Sequence, residues 1–163
     1  MGEASLAEPY DIVIIGAGPA GSSAAKAAAE RGAKVLLIDR KQRVGVPVQC
    51  AEFVPRWIFR RAHFSPTCIH QTIDSMVTHL PDGASYDMKS PGCMIDRSLF
   101  DKELAASAVL SGAKISIGTK AIGLSPEGLI VEHGSKKKTI PSKVFIGADG
   151  ATSTIARFVG KIL

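Results

Sequence analysis

The sequence contains few of the residues that build disulfide frameworks or metal sites. Its 163 residues include three cysteines, Cys50, Cys68 and Cys93, and no two of them are spaced as CxxC. An odd number without that spacing argues against disulfides and against a structural zinc site. The four histidines do not pair with the cysteines at ligand spacing. We therefore predict no metal site, and we expect Cys68 and Cys93 to be packing residues.

Long apolar runs are also missing. No segment reaches the roughly 18 apolar residues that a membrane-spanning helix needs. Residues 1–9 are acidic and have no apolar core, so they do not have the pattern of a signal peptide. We expect a disordered tail over residues 1–9 and a cytoplasmic protein.

Concentrated positive charge is limited to one place. The net charge of +5 comes from scattered residues, and no basic stretch is interleaved with aromatic residues. This pattern argues against a nucleic-acid partner. Three consecutive lysines occupy positions 136–138, after Gly134-Ser135 and before Pro141. A solvated hairpin turn and a lipid-headgroup site are the two interpretations of this run, and the turn is the simpler one.

What the sequence does contain begins with a βαβ pattern. Hydrophobic residues make up 45% of the chain and charged residues 21%, which is typical of one soluble globular domain. Residues 11–15 are apolar and β-branched, as in a strand buried on both faces of a parallel sheet. Residues 22–31 are rich in alanine and predict a helix, with Gly32 as its C-terminal cap. Residues 34–39 predict a second buried strand.

The rest of the chain predicts a mixed α/β fold. We expect a parallel sheet with a Rossmann-like βαβ unit and a small antiparallel meander. A helix capped by Asp96 should carry an apolar stripe of Leu99, Phe100, Leu104 and Ala108. The predicted elements are a short helix over 53–63, strands over 72–80 and 84–88, a helix over 97–110, a strand over 113–117, a meander of strands over 121–124, 129–132 and 137–140, a strand over 144–147 and a helix starting near Ser153.

The chemical motif lies between the first strand and the first helix. Residues 16–21 read Gly-Ala-Gly-Pro-Ala-Gly, which matches G-x-G-x-x-G, and Asp39 ends the next strand eighteen residues later. Gly16 allows the tight turn, Gly18 lets the backbone approach a diphosphate, and Gly21 lets helix and strand pack closely. The helix N-terminus favours phosphate. Asp39 should accept hydrogen bonds from the ribose hydroxyls and repel a 2′-phosphate, which argues against NADP at this site.

Two features favour FAD over NAD as the dinucleotide. The glycine motif lies near the start of the sequence, and a second landmark follows more than a hundred residues later, where an apolar strand over 144–147 precedes Asp149-Gly150. With these motifs the chain resembles FAD-dependent oxidoreductases of the hydroxylase-like glutathione-reductase superfamily. Such proteins carry G-x-G-x-x-G near the start, an Asp-Gly motif after a later strand, and a Gly-Asp motif later still.

Within that superfamily the chain is similar to the geranylgeranyl reductase family. Residues 46–52 (Val-Pro-Val-Gln-Cys-Ala-Glu) and 95–101 (Ile-Asp-Arg-Ser-Leu-Phe-Asp) carry this resemblance. It implies that Cys50 lies near the flavin and that Arg97 contacts FAD. The motif and the resemblance together give these candidate cofactor-binding residues: Gly16, Gly18, Pro19, Ala20, Gly21, Asp39, Arg40, Cys50, Ala51, Arg97, Ala121, Asp149 and Gly150.

The sequence departs from the family pattern at two points. The family has Gly-Glu-Gly after its cysteine, whereas this chain has Ala51-Glu52-Phe53, so Phe53 replaces a glycine near the flavin. No Gly-Asp motif follows Asp149-Gly150. In the family that aspartate binds the ribityl chain of FAD, and the substrate domain lies further on. We therefore expect residues 1–163 to be the FAD-binding domain, an N-terminal portion of a longer flavoprotein that by itself is inactive.

Several candidate residues have two interpretations each. Cys50 can act near the flavin or be a small packing residue. Arg97 can bind the diphosphate or be solvated, Arg40 can lie over the adenine or point into water, and Asp149 can organise phosphate-binding amides or cap a turn. Trp57 is expected to be a packing residue.

The resemblance implies an oxidoreductase that uses reduced FAD to reduce isolated double bonds of a geranylgeranyl chain on a lipid or pigment precursor. It implies an isoprenoid lipid or other small-molecule substrate and a reduced electron donor, NADPH or ferredoxin. A peripheral membrane contact stays open. No residue qualifies as a general acid or base by spacing, and Cys50 is the candidate for a chemical role. The alternatives are an aromatic or quinone-pathway FAD monooxygenase and a non-catalytic FAD-binding fragment.

Overall fold

A computed structural model describes residues 6, 8–60 and 65–160. It begins with the predicted βαβ unit: strand β1 spans Tyr10–Ile15, helix α1 spans Pro19–Ala29 and strand β2 spans Val35–Asp39. The helix starts three residues earlier than expected, because proline is well suited to the first helical position and Gly18 serves as the N-cap. Gly32 follows α1 with φ of +80°, in keeping with the predicted glycine after the helix end.

A four-stranded parallel sheet forms the centre of the molecule. It adds β6, Lys114–Ile117, and β10, Ser142–Gly147, in the order β10-β1-β2-β6. Every adjacent pair is parallel. Val13 and Ile14 of β1 are fully buried, as expected for a strand covered on both faces. The predicted Rossmann-like parallel sheet is confirmed.

Two layers cover the faces of this sheet. Ile14 and Leu37 pack with alanines of α1 and with Ala108 of α2, the helix that spans Arg97–Leu110. On the other face, Val13 and Leu36 pack against an antiparallel meander. The meander consists of β7, β8 and β9, which span Thr119–Ser125, Gly128–His133 and Lys136–Ile140. The predicted meander is confirmed.

The lysines at 136–138 are not in a turn. They form the exposed start of β9, and the turn itself is Gly134-Ser135. Among the strands of the described residues, β9 pairs with β8 alone. Exposed lysines on an edge strand discourage pairing with another chain.

A second antiparallel sheet is present that the sequence did not predict as a sheet. Strands β3, β4 and β5 span Phe53–Pro55, Ile69–His79 and Ser85–Ile95, in the order β3-β5-β4. Strands were expected over 72–80 and 84–88, so the hairpin is confirmed but longer. The predicted helix over 53–63 is wrong, because residues 53–55 pair with β5 and a 3-10 helix follows over Arg56–Arg60. Residues 61–63 lie outside the described residues. Trp57 is 61% exposed, so it is not a packing residue.

Helix α2 has the predicted bounds and cap. The Asp96 side chain accepts a hydrogen bond from the Leu99 N–H at 2.9 Å, and Phe100, Leu104 and Ala108 are buried. Cys68 and Cys93 pack in the same cluster as Phe100, as expected. A short helix α3, Thr154–Phe158, starts near Ser153 as expected, and the Ser153 side chain accepts a hydrogen bond from the Ala156 N–H.

The two termini lie partly outside the described residues. Of the tail expected to be disordered, residues 1–5 and 7 are outside them, whereas Leu6 is buried in the core and Glu8 is ion-paired. Residues 161–163 are also outside. Within the described residues, no helix has the length and apolar character needed to cross a membrane.

Candidate functional site

A cavity of about 390 Å³ opens at the carboxyl ends of β1, β2 and β10. Because the strands are parallel, the residues that follow them meet at one edge, which is where open α/β sheets bind ligands. The candidate residues that line the cavity are Gly16, Gly18, Pro19, Asp39, Arg40, Cys50, Arg97, Ala121, Asp149 and Gly150. The candidates outside the lining are Ala20, Gly21 and Ala51.

The three motif glycines have different surroundings. Gly16 has φ of +107°, and a side chain there would collide with the backbone of Ala148. A side chain at Gly21 would collide with the carbonyl oxygen of Gly16. At Gly18, in contrast, a Cβ would meet no atom within 4 Å. Gly16 and Gly21 are therefore required by packing of the fold, and Gly18 leaves open space at the start of α1.

Asp39 is fixed by the backbone on both sides. Its carboxylate accepts hydrogen bonds from the Ala17 N–H at 2.7 Å and from the Lys41 N–H at 2.8 Å. The first bond joins the end of β2 to the glycine loop. Asp39 therefore shapes the loop, and its remaining acceptor capacity faces the cavity that it lines.

Cys50 and Arg97 lie together on the same cavity as the glycine loop. The Arg97 Nη1 donates to the Cys50 Sγ at 3.2 Å. The same guanidinium forms an ion pair with Asp101 at 3.1 Å. Burial lowers the pKa of Arg97, but Asp101 more than offsets this, so the pKa lies above its usual value. Arg97 is thus neither free nor fully solvated.

Glu52 holds the Cys50 loop against helix α2. Its carboxylate accepts a hydrogen bond from the Arg97 N–H at 3.0 Å, and its carbonyl accepts one from the Ile95 N–H at 2.9 Å. Glu52 has φ of +61°, a left-handed conformation uncommon for a residue with a side chain. Phe53, where the family has glycine, extends into β3 and packs closely on Gly92.

Asp149 caps helix α3. It accepts hydrogen bonds from the Ser153 hydroxyl at 2.5 Å and from the N–H groups of Thr154 and Ile155 at 2.6 and 3.3 Å. Burial raises the pKa of Asp149, but these donors outweigh burial and hold the pKa below its usual value. Of its two expected roles, capping is the one seen, and Gly150 with φ of +87° completes the turn at the cavity.

The cavity contains residues that the sequence analysis missed. Lys41, Asp101, Thr119 and Lys120 also line it. Asp101 belongs to the 95–101 segment, and its position four residues after Arg97 is a signal that could have identified it. Thr119 and Lys120 lack such a signal, because the packing of β7 beside the parallel sheet is what brings them to the cavity.

The cavity has features that suit an anionic ligand. Within the described residues no side chain caps the start of α1, so its first N–H groups and the open space at Gly18 suit a diphosphate. Lys41, Arg97 and Lys120 add positive charge for an anionic ligand. The volume is within the range of small-molecule sites, about 300–1,000 Å³.

Known proteins match this chain over most of its length. The family model described as FAD dependent oxidoreductase matches residues 11–156. The digeranylgeranylglycerophospholipid reductase of Methanocaldococcus jannaschii is 39% identical, and the match covers 95% of this chain and 41% of that protein. The chain thus spans less than half the length of this relative.

Solved structures share the fold. A geranylgeranyl bacteriochlorophyll reductase-like protein from Thermoplasma acidophilum superposes with a TM-score of 0.88 at 29% identity, over 96% of this chain and 44% of that one. The flavin-dependent monooxygenase PieE, in complex with FAD and substrate, has a TM-score of 0.71 at 20% identity, over 94% of this chain and 32% of that one. At that identity the second likeness shows the fold alone.

Proposed function

This chain belongs to the FAD-dependent oxidoreductase family, and on that premise we propose that residues 1–163 are the FAD-binding part of a reductase. The proposed enzyme reduces double bonds of a geranylgeranyl or other isoprenoid chain on a lipid or pigment precursor. One observation carries the proposal: the glycine loop, Asp39, Cys50 and Arg97 meet at a single cavity. The names of the reductases similar to the chain support the isoprenoid substrate.

The residues of the chain bind and orient the cofactor. The N–H groups at the start of α1 face the diphosphate, and Asp39 accepts hydrogen bonds from the ribose hydroxyls. Arg97 offers a cation to the anionic part of the ligand. Cys50, on the loop that Glu52 joins to helix α2, would lie near the isoalloxazine and would help to orient the substrate. When bound in its reduced form, FAD supplies the hydride.

The partners follow from this chemistry. The enzyme takes electrons from a reduced donor, NADPH or ferredoxin, and works in the cytoplasm with a peripheral contact to the membrane that holds its lipid substrate. Co-sedimentation with vesicles that contain the isoprenoid lipid tests the membrane contact. Protein that stays in the supernatant at low salt would contradict it.

A product assay tests the reaction itself. The full-length protein, of which residues 1–163 are proposed to be the FAD-binding part, is loaded with FAD, reduced anaerobically with dithionite and incubated with a geranylgeranyl glycerophospholipid. We expect mass spectrometry to show the addition of one hydrogen molecule for each reduced double bond. Uptake of oxygen and transfer of an oxygen atom to an aromatic substrate would favour the monooxygenase alternative, for which the fold is suited. Bound FAD with neither reaction would favour a non-catalytic FAD-binding module.

A further inference from the structure

Asp101 is a buried carboxylate on the wall of the cavity. Its exposure is 8%, and among the residues that the structure describes it is the one charged residue that is buried. It lies in helix α2, one turn after Arg97, and lines the cavity with Arg97, Lys41 and Asp39. A charged group in such a place needs a partner, because burial removes its hydration.

The partner is the guanidinium of Arg97, which Asp101 contacts at two points. The Arg97 Nε donates to one carboxylate oxygen at 3.1 Å, and the Nη2 donates to the other at 3.3 Å. A two-point contact fixes the plane of the guanidinium as well as its position. It leaves the Nη1 to donate to the Sγ of Cys50, a residue of the cavity wall, at 3.2 Å.

The loop before β3 also fixes Arg97, through its main chain at the start of helix α2. Glu52 binds the backbone N–H of Arg97, so the residue is fixed at its main chain as well as at its side chain. An arginine held at both ends loses little conformational freedom when a ligand binds, and this preorganisation favours affinity.

As a charge, Asp101 opposes an anionic ligand. Burial raises its pKa above the usual value, although Arg97 favours the ionised form. A second carboxylate, Asp39, lies on the same cavity. Bulk electrostatics therefore predicts that removal of the Asp101 charge would strengthen the binding of FAD, which is itself anionic. If Asp101 instead orients Arg97, removal of its charge should weaken the binding of FAD.

We propose that Asp101 is a positioning residue that holds the Arg97 guanidinium in the orientation needed to bind FAD, a role that nothing in the motif pattern assigned. The proposal rests on the proposed function, since it takes FAD to be the ligand of this cavity.

A double-mutant cycle on FAD affinity tests the proposal. Asp101→Asn keeps the size of the side chain and removes the charge, so we expect FAD to bind about tenfold more weakly. In the Arg97→Ala background, the same substitution should leave affinity unchanged or strengthen it, because only the repulsion remains. Equal weakening in both backgrounds would indicate a merely structural role and overturn the proposal. Tighter binding in the unsubstituted background would overturn it as well.

A second variant tests the same role without removing the positive charge at position 97, which makes a folding defect a less direct explanation of the result. Arg97→Lys keeps the positive charge but cannot contact Asp101 at two points. We expect it to bind FAD more weakly than the unsubstituted protein and to be insensitive to Asp101→Asn. An Arg97→Lys protein with unchanged affinity would contradict the need for orientation.

A measurement without cofactor separates this proposal from the proposed function. The Arg97 Nε–H should give a distinct ¹⁵N–¹H signal, which is assigned by its loss in Arg97→Lys. We expect this proton to exchange slowly with water, because it is hydrogen-bonded to the Asp101 carboxylate. Asp101→Asn should speed that exchange about tenfold, and unchanged exchange would overturn the positioning role. A protein that binds no FAD at all would refute the proposed function. The exchange rate of the Arg97 Nε–H would still show whether Asp101 positions Arg97.

Discussion

Gly18 and Gly21 lie in the same loop, but they are required for different reasons. A methyl group at Gly18 meets open space, whereas one at Gly21 meets the Gly16 backbone. We expect Gly18→Ala to change the free energy of unfolding by less than about 1 kcal/mol, since the cost is a poorer N-cap. It should weaken FAD binding at least about tenfold, because the methyl group takes the space of the diphosphate. Gly21→Ala should instead destabilise the fold.

Thermal unfolding and a flavin-fluorescence titration measure the two effects separately. Gly123→Ala is a matched control, since Gly123 lies on β7 outside the cavity lining and a methyl group there makes ordinary contact with Ile130. It should change neither property. A Gly18→Ala protein with full FAD affinity would remove Gly18 from the site.

Asp39 carries a second prediction at the residue scale. Asp39→Ala removes the expected acceptor for the ribose hydroxyls and the bond to Ala17 N–H. We expect FAD binding to weaken by about 1–3 kcal/mol, the scale of a charge-assisted hydrogen bond. A flavin-fluorescence titration measures this, with Asp87→Ala on the exposed hairpin as the control. Unchanged affinity in Asp39→Ala would refute the assigned role.

At the scale of elements, Glu8 links the strands of the parallel sheet at their amino ends. Its carboxylate contacts Lys34 at 3.1 Å, the Lys114 ammonium at 2.5 Å and the Tyr10 hydroxyl at 2.8 Å. These residues stand at the starts of β1, β2 and β6. Hydrogen bonds from Lys114, Tyr10 and Lys34 lower the pKa of Glu8 from 4.5 to about 2. A carboxylate with a lowered pKa in the folded state stabilises the fold above its unfolded pKa.

The stabilisation by Glu8 should therefore depend on pH. It is fully present above about pH 4.5 and is lost as the pH falls toward 2. We expect Glu8→Gln to unfold at a lower temperature than the unsubstituted protein near neutral pH, and the difference to shrink in acid. Glu30→Gln, at an exposed carboxylate, is the control for the loss of a surface charge. A difference in melting temperature that stays constant down to pH 2 would contradict this role.

The regular elements could be predicted from the sequence because local signals agree with the fold. The strand over 11–15 is a continuous apolar run that ends at a glycine turn, and the helix over 97–110 has an apolar stripe and a capping residue. The addition of β3 to the β4–β5 hairpin could not be predicted, since residues 53–55 become a strand only by pairing with residues 92–94. Such pairing depends on tertiary context, which overrides local propensity.

The residues of the candidate site also fall into two groups, those that the sequence could identify and those that it could not. Residues in a recognisable motif, such as Gly16, Gly18 and Asp39, could be identified from spacing alone. Thr119 and Lys120 reach the cavity because β7 packs beside the parallel sheet, and no local pattern encodes that packing. The capping of α3 by Asp149 and the Arg97–Asp101 pair depend on side-chain orientation, which spacing only suggests.

At the scale of the whole molecule, the cavity joins parts of the chain that are far apart in sequence. Its wall runs from Ile15 to Thr154 and includes residues of both the parallel sheet and the meander. A ligand that bridges them should stabilise the folded state as a unit. At a free FAD concentration of about 100 times Kd, we expect the free energy of unfolding to rise by about 2.7 kcal/mol.

Differential scanning calorimetry with and without FAD measures this linkage. ADP alone should give a smaller increase in melting temperature, since it contacts fewer of the residues. Gly18→Ala should reduce the increase at the same FAD concentration. No shift in melting temperature with saturating FAD would contradict a bridging site.

The position of β10 beside β1 also has a consequence for the order in which the molecule folds. Lys143 and Asp11 form an ion pair across 132 residues of sequence, and the Ala148 N–H donates to the Ile15 carbonyl at 2.7 Å. During synthesis on a ribosome, β1 and β2 emerge early. One edge of β1 stays unpaired until β10 has been made. Such long-range pairing slows folding. The pocket therefore cannot be complete before β10 has been made, because residues that follow β10 form part of its wall.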